Sequence, residues 1–485
     1  MKNISLIIIM TAVVALSSCA KNDIGEELSP MTAQSDIAAL MLDGVDSTAA
    51  YEHYLLRLDA KADGDYRLSD EEITESLLRF CNPDSHAKTA DVSEQPALTI
   101  KGIRPLNEPV ALRSANDPRA AVPPVVVEFT SEQGDGYAVC SGDVRYQKIF
   151  SYVPSGSLDD TVNIKMLSLF YRSVSHSIND SIARFNSRVG TLQALNLEAE
   201  GTSITPRLHP NHPDHNKIPL PDGMFCLGEE YIINTDKESY LGMKIKWDQN
   251  APYNNAMPHK NELSNCYPDN TNNRAVVGCV PIAAGQAIAY KKYKYFKNIA
   301  PHWDAINNYS SIKGSQYEDV VAKFLREIAD GVKVSYTSKG TAAFPEDLDI
   351  YLKELNRKDA SVKHEYYNGN VIFMPDSIYR RFLLVYNAIS KKNPVIISVS
   401  DISAKVGHSF VVDGAKYYSG TLYEVLGTEY DGVVNKMYRH LSSDERLYIS
   451  CNWGWGGKSD GLYDYYNLNP GIYEFNTWKG IFILK

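Results

Sequence analysis

A chain of 485 residues is about three times the usual length of one domain, so two or more compact units are expected. Hydrophobic residues at 44% and charged residues at 22% are ordinary for a soluble globular protein. The formal net charge of -10 excludes the basic surface that a nucleic acid partner requires.

The first residues, Met1-Lys2 followed by an apolar stretch from Ile4 to Leu16, form an export signal too short for a membrane span. Leu16-Ser17-Ser18-Cys19 resembles a bacterial lipobox, in which small residues precede a cysteine that takes a lipid. The expectation is a signal over 1–19, a lipid on Cys19 that binds the chain to a membrane, and a polar tether over 20–35. Beyond Cys19 the cysteines are Cys81, Cys140, Cys226, Cys266, Cys279 and Cys451, with no C-x-x-C pair among them. That spacing argues against a structural zinc or a dithiol redox centre.

Ser69 and Glu72 predict a capping box and a helix running through Leu78. Asp63-Gly64-Asp65 sits in a stretch that faintly resembles a calcium loop, but Lys61 stands where a ligand oxygen is needed and Asp70 where the bidentate Glu should be, so a turn is the reading. Residues 82–123 read as a long loop. The alternating run Val125 to Phe129 and the run Tyr137 to Cys140, with Gly134-Asp135-Gly136 between them, predict a hairpin, and Gln147 to Tyr152 supplies a third strand. Apolar residues at helical spacing predict a helix over 162–182.

Pro206, Pro210, Pro213, Pro219 and Pro221 break any regular element over 201–223. His209, His212 and His215 recur there at every third position, but with no second ligand cluster this stretch is a linker and no metal is expected. All five tryptophans follow residue 240, and the chain from there on is long enough for a two-lobed unit with its own core.

Within that unit, Cys279 follows Gly278 and opens the Ala-rich periodic run Val280, Ala283, Ala284, Ala287, Ile288, with Pro281 suited to a first helical turn. A thiol at a helix N-terminus meets free N–H groups and the positive end of the dipole, which favour its nucleophilic anion. Such a thiol needs a proton acceptor. His408 stands at the head of an alternating run, His408 to Asp413, after a predicted strand Pro394 to Val399, about 130 residues after Cys279, as a papain-like order requires. Asn452-Trp453-Gly454-Trp455-Gly456-Gly457 places an amide able to accept from the His408 ring N–H and an indole able to shield that bond.

These segments, in this order, resemble the streptopain family of cysteine peptidases. Trp247-Asp248-Gln249-Asn250 is similar to the family's entry segment, Gly278-Cys279-Val280 to its nucleophile, Gly407-His408-Ser409-Phe410 to its histidine strand, and Asn452 through Gly457 to its closing motif. Gly340-Thr341-Ala342-Ala343 falls where the family has a small-residue loop near substrate. Gly136 through Asp143 is similar to its pro-domain. The Gln that precedes the family's catalytic His has no counterpart in Val399-Ser400-Asp401-Ile402, which leaves the second oxyanion donor to Ser400, another side chain or the backbone.

The resemblance implies an α+β fold: a papain-like catalytic domain over 240–485, with a helix lobe and an antiparallel sheet lobe, preceded by an α+β pro-domain over 36–230. It implies an exported cysteine endopeptidase made as a zymogen, with Cys279 and His408 catalytic and Asn452 and Trp453 supporting. Proteins or peptides are the expected substrates, the chain's own pro-domain its inhibitor, and no cofactor or metal is needed. The mature enzyme is expected on the cell envelope or released after processing. A papain-like amidase or transglutaminase would use the same pair, and a catalytically silent surface lipoprotein would keep the fold without the chemistry.

Overall fold

The computed structural model describes residues 64–81, 98–106, 119–159, 165–199, 224–294, 301–368, 377–401, 406–430, 433–468 and 477–485, with residue 296 and isolated positions between 51 and 62. The signal, Cys19, the tether and the linker with its three histidines lie outside the described residues.

The first helix, α1 (Asp70–Cys81), begins with the expected capping box. The Ser69 N–H donates to Glu72 Oε2 at 2.8 Å and the Glu72 N–H donates to Ser69 Oγ at 3.2 Å, so two otherwise orphaned donors are satisfied. Ile73, Leu77 and Phe80 line its buried face, and Phe80 meets Tyr448 edge-on at 5.0 Å. Four antiparallel strands follow: β1 (Thr99–Pro105), β2 (Val125–Ser131), β3 (Gly134–Cys140) and β4 (Ile149–Val153). The hairpin runs further than its apolar core suggested. Ser131 pairs with Gly134, so the turn is Glu132-Gln133 and Gly134 through Gly136 belong to a strand. β1 lies inside the stretch read as loop; short, interrupted at Gly102 and ended by Pro105, it has the character of an edge strand, which hides the alternation a sequence reading needs. Helix α2 (Lys165–Ala199) covers the predicted helix from its fourth residue and extends well past it.

The remaining elements are β5 (Met224–Tyr240), α3 (Cys279–Lys291), α4 (Glu318–Gly331), β6 (Ser335–Thr337), β7 (Gly340–Ala342), α5 (Pro345–Lys358), β8 (His364–Asn368), α6 (Ser377–Ser390), β9 (Val395–Asp401), β10 (Val406–Tyr430), β11 (Val433–Asn452), β12 (Gly461–Asp464) and β13 (Thr477–Leu484). The strands except β6 and β7 form one sheet in the order β1-β2-β3-β4-β12-β11-β10-β9-β13-β8, with β5 paired along β10. The chain is therefore α+β, as expected.

Side-chain alternation splits the middle of this sheet into two faces. Val395, Ile397, Val399, Phe410, Val412, Ile481 and Ile483 enter a core with α2 and α6. Ile396, Val411, Phe482 and Leu484 enter a second core with α3, α4 and α5. A sheet covered on both faces explains why these strands read as nearly continuous apolar runs.

Beyond a small cluster of Leu55, Phe185 and Val189, the described elements before residue 200 share their cores with the rest of the chain. Tyr137, Phe150, Leu167, Phe170 and Val174 share one cluster with Leu447, Ile449, Trp453 and Tyr463. β4 pairs with β12 through Tyr152↔Leu462 and Ser151↔Tyr463, and Gly461 is required there, because a Cβ at that position would lie 2.4 Å from the Tyr152 carbonyl oxygen. Lys148 reaches across to the fully buried Asp464 carboxylate at 2.8 Å, and the Tyr448 hydroxyl donates to the Ile149 carbonyl at 2.8 Å.

Candidate active site

Cys279 is the first residue of α3, and Gly278 is its N-cap with φ 96° and ψ 150°. A side chain is strained at that φ, and a Cβ there would also meet the Thr341 carbonyl oxygen at 2.9 Å. Glycine thus lets β7 close against the entry to the helix, where Thr341 Oγ1 donates to the Val276 carbonyl at 2.6 Å. Residues Val280 through Ala289 of α3 are all buried; small residues let other side chains pack against the backbone, and Gly285 faces Leu325 and Trp247. Half-buried Cys279 is a free thiol, as are Cys81, Cys140, Cys266 and Cys451.

The main-chain N–H groups of Ser409, Val280 and Cys279 itself act to lower the Cys279 thiol. Two of these are the open donors of a helix start. The third belongs to the residue that follows His408, so the fold brings the two chemical segments onto adjoining backbone. Burial nonetheless outweighs these donors and pushes the thiol above its ordinary range. Raised in this way, the thiol is held against the anion that its place at the helix start favours.

His408 lies in β10 with 8% of its surface exposed. Its Nε2 stands 2.8 Å from the Trp453 carbonyl oxygen. A carbonyl only accepts, so Nε2 carries the proton and Nδ1 is the basic nitrogen of the neutral ring. Burial lowers the ring to about 4, against the Trp453 carbonyl, which acts to raise it. Among the described residues no hydrogen bond joins the thiol to the imidazole.

The acceptor expected from Asn452 is supplied by its neighbour's backbone. Asn452 Nδ2 donates to the Ile245 carbonyl at 2.9 Å, and its Oδ1 accepts from Gln286 Nε2 at 3.1 Å and from the Gly454 N–H at 3.3 Å. Gly454 N–H and Trp453 C=O are two ends of one peptide unit. The Asn452 amide therefore holds the carbonyl that holds His408, one peptide removed from the role expected of it. Gln286, fully buried, is fixed in turn by the Trp247 N–H at 3.1 Å.

Trp453 is fully buried and shields the ring as expected, with centroids 5.9 Å apart. Trp455 comes closer, at 4.8 Å, and stacks on Trp453 at 5.3 Å. Sequence reasoning missed Gln286 and gave Trp455 no role. Gln286 had a signal: a lone amide on the buried apolar side of α3, two turns from Cys279. Ser400, considered as an oxyanion donor, has a buried hydroxyl without a hydrogen-bond partner among the described residues and lies opposite Gly407 in the β9–β10 pairing.

Comparison with known proteins gives a consistent picture. Residues 247–463 match the model of the Peptidase C10 family. The chain is 24% identical over 251 residues to the thiol protease/hemagglutinin PrtT of Porphyromonas gingivalis, an alignment covering 47% of this chain and 24% of that protein. It is 22% identical over 363 residues to streptopain of Streptococcus pyogenes serotype M1, covering 69% of this chain and 72% of that protein. Among solved structures, a prointerpain A fragment from Prevotella intermedia matches with a TM-score of 0.43 at 17% identity, covering 74% of this chain and 94% of that one. Active interpain A matches with a TM-score of 0.34 at 20% identity, covering 51% and 94%.

A raised Cys279 thiol and a lowered His408 ring fix how the unprocessed chain reacts with alkylating agents. Iodoacetamide labelling of Cys279, followed by peptide mass spectrometry, will be slow at pH 7 and rise about tenfold per pH unit into the alkaline range, as an unassisted buried thiol does. Fast labelling that is flat between pH 5 and 7 would instead reveal an ion pair.

Proposed function

We propose that this chain, whose residues 247–463 match the Peptidase C10 family, is an exported streptopain-type endopeptidase made as a zymogen, with Cys279 as nucleophile and His408 as its base. The reading is supported by the place of Cys279 at the start of α3, with the main-chain N–H of Ser409, the residue after His408, acting on its thiol. In the reaction, His408 Nδ1 takes the thiol proton once the two side chains meet, and the thiolate attacks the scissile carbonyl. The Cys279 N–H donates to the oxyanion that forms. His408 returns its proton to the leaving amine, then takes one from the water that hydrolyses the acyl-enzyme. The Trp453 carbonyl serves both stages, since Nε2–H donates to it in the neutral ring and in the imidazolium. No cofactor enters the cycle.

Residues 36–230 are read as the inhibitory pro-domain, with cleavage in or after the linker at 201–223. A thiol held against its anion is what an inhibited precursor requires. Lipid attachment at Cys19 and residence on the cell envelope follow from the signal and its small residues before the cysteine.

Cys279→Ala will leave the chain full length and without activity on casein under reducing conditions, and His408→Ala will do the same; self-processing by either variant at the wild-type rate would reject the assignment. Separately, Cys19→Ala will lose incorporation of a radiolabelled fatty acid and leave the membrane fraction. Equal labelling of both proteins would refute the anchor.

A further inference from the structure

The Trp453 main chain is held from a direction that the peptidase chemistry does not account for. Its N–H donates to Asp460 Oδ1 at 3.0 Å, while its carbonyl accepts from His408. Asp460 follows the glycine-rich turn after Trp453, which is tied down at Gly456 by a bond from its N–H to the Trp247 carbonyl at 2.9 Å. A second carboxyl, Asp413 of β10, faces it. One oxygen of Asp413 takes a bond from Ser450, and its Oδ1 is buried with no hydrogen-bond partner among the described residues. Lys246 is the cation acting on both carboxyls, and the buried Cys451 thiol feels both of them.

A simple staple for this turn would not need an acid. An asparagine oxygen accepts the same N–H without the cost of setting two partly buried carboxyls against each other. What the acid adds is a charge that appears and disappears beneath Trp453. We propose that Asp460, backed by Asp413, is a positioning residue of the active site, clamping the Trp453 main chain so that its carbonyl holds and polarises the His408 ring.

Burial raises Asp460 to about 7, helped by Asp413, and raises Asp413 to about 6. Both folded values lie above the ordinary carboxylate range, so the pair is neutral in acid and gains charge as pH rises through 6 to 7. That charge strengthens the bond from the Trp453 N–H and favours the protonated ring that the acyl-transfer cycle needs. The residue acts through Trp453 and touches no reacting atom.

The inference deepens the peptidase reading, and its first test needs no turnover. In the full chain carrying Cys279→Ala and labelled with nitrogen-15 histidine, the His408 ring signals will show a step near neutral pH. That step will vanish on adding Asp460→Asn and move to lower pH on adding Asp413→Asn, which removes the like charge. A step unchanged by both substitutions, or missing from the parent, overturns the proposal whatever the enzyme's activity. In the self-processed enzyme, Asp460→Ala will lower kcat about tenfold with little change in KM, the loss expected for one charged hydrogen bond. Asp460→Asn will recover most of kcat and lose the neutral inflection of the pH profile. An unchanged kcat in Asp460→Ala, or an Asp460→Asn profile that keeps the inflection, contradicts it.

Discussion

The hydrogen bond from His408 Nε2 to the Trp453 carbonyl is the constraint on which the rest of the site depends. It decides which ring nitrogen is basic, leaving Nδ1 as the nitrogen able to take a proton. The carbonyl is held in place by its own peptide unit, whose N–H is bonded to the Asn452 amide, and by Asp460 on the preceding N–H. Gln286 then links Asn452 to the helix that carries Cys279. One short network therefore ties the helix that carries Cys279, the histidine and the tryptophan turn together.

Aromatic packing carries the same constraint outward. Trp453 lies against Phe410 at 4.6 Å and meets Tyr463 edge-on at 5.1 Å, and Tyr463 meets Phe170 of α2 edge-on at 5.1 Å. Each such pair adds about 1 kcal/mol beyond the area it buries. The ring series runs from α2 to the Trp453 side chain that lies beside His408. The segment read as a pro-domain thus shares a core and a continuous sheet with the strands that carry His408 and Asn452.

Much of the site was legible in the sequence because its determinants are local. Gly278 and Pro281 mark a helix start, alternation marks the strand of His408, and the glycine-rich turn is dense enough to identify. The same holds for the capping box at Ser69 and the β2–β3 hairpin. What was hidden depends on tertiary neighbours. β1 has too little alternation to stand out, and β5 is defined by fifteen or so residues of pairing with β10 that no local pattern announces. The Asn452 role was displaced by one peptide because a backbone carbonyl leaves no trace in a sequence. The thiol's protonation followed the same rule: the helix start favours the anion, but the depth at which the fold places it decides the outcome.

The family assignment joins these local signals to a chemistry, and a peptidyl epoxide that alkylates activated thiols measures it most directly. Applied to the self-processed enzyme and located by mass spectrometry, the account predicts a single adduct on Cys279 that disappears when His408 is replaced by alanine. An adduct on Cys266 or Cys451 instead, or one on Cys279 that forms equally fast without His408, would contradict it.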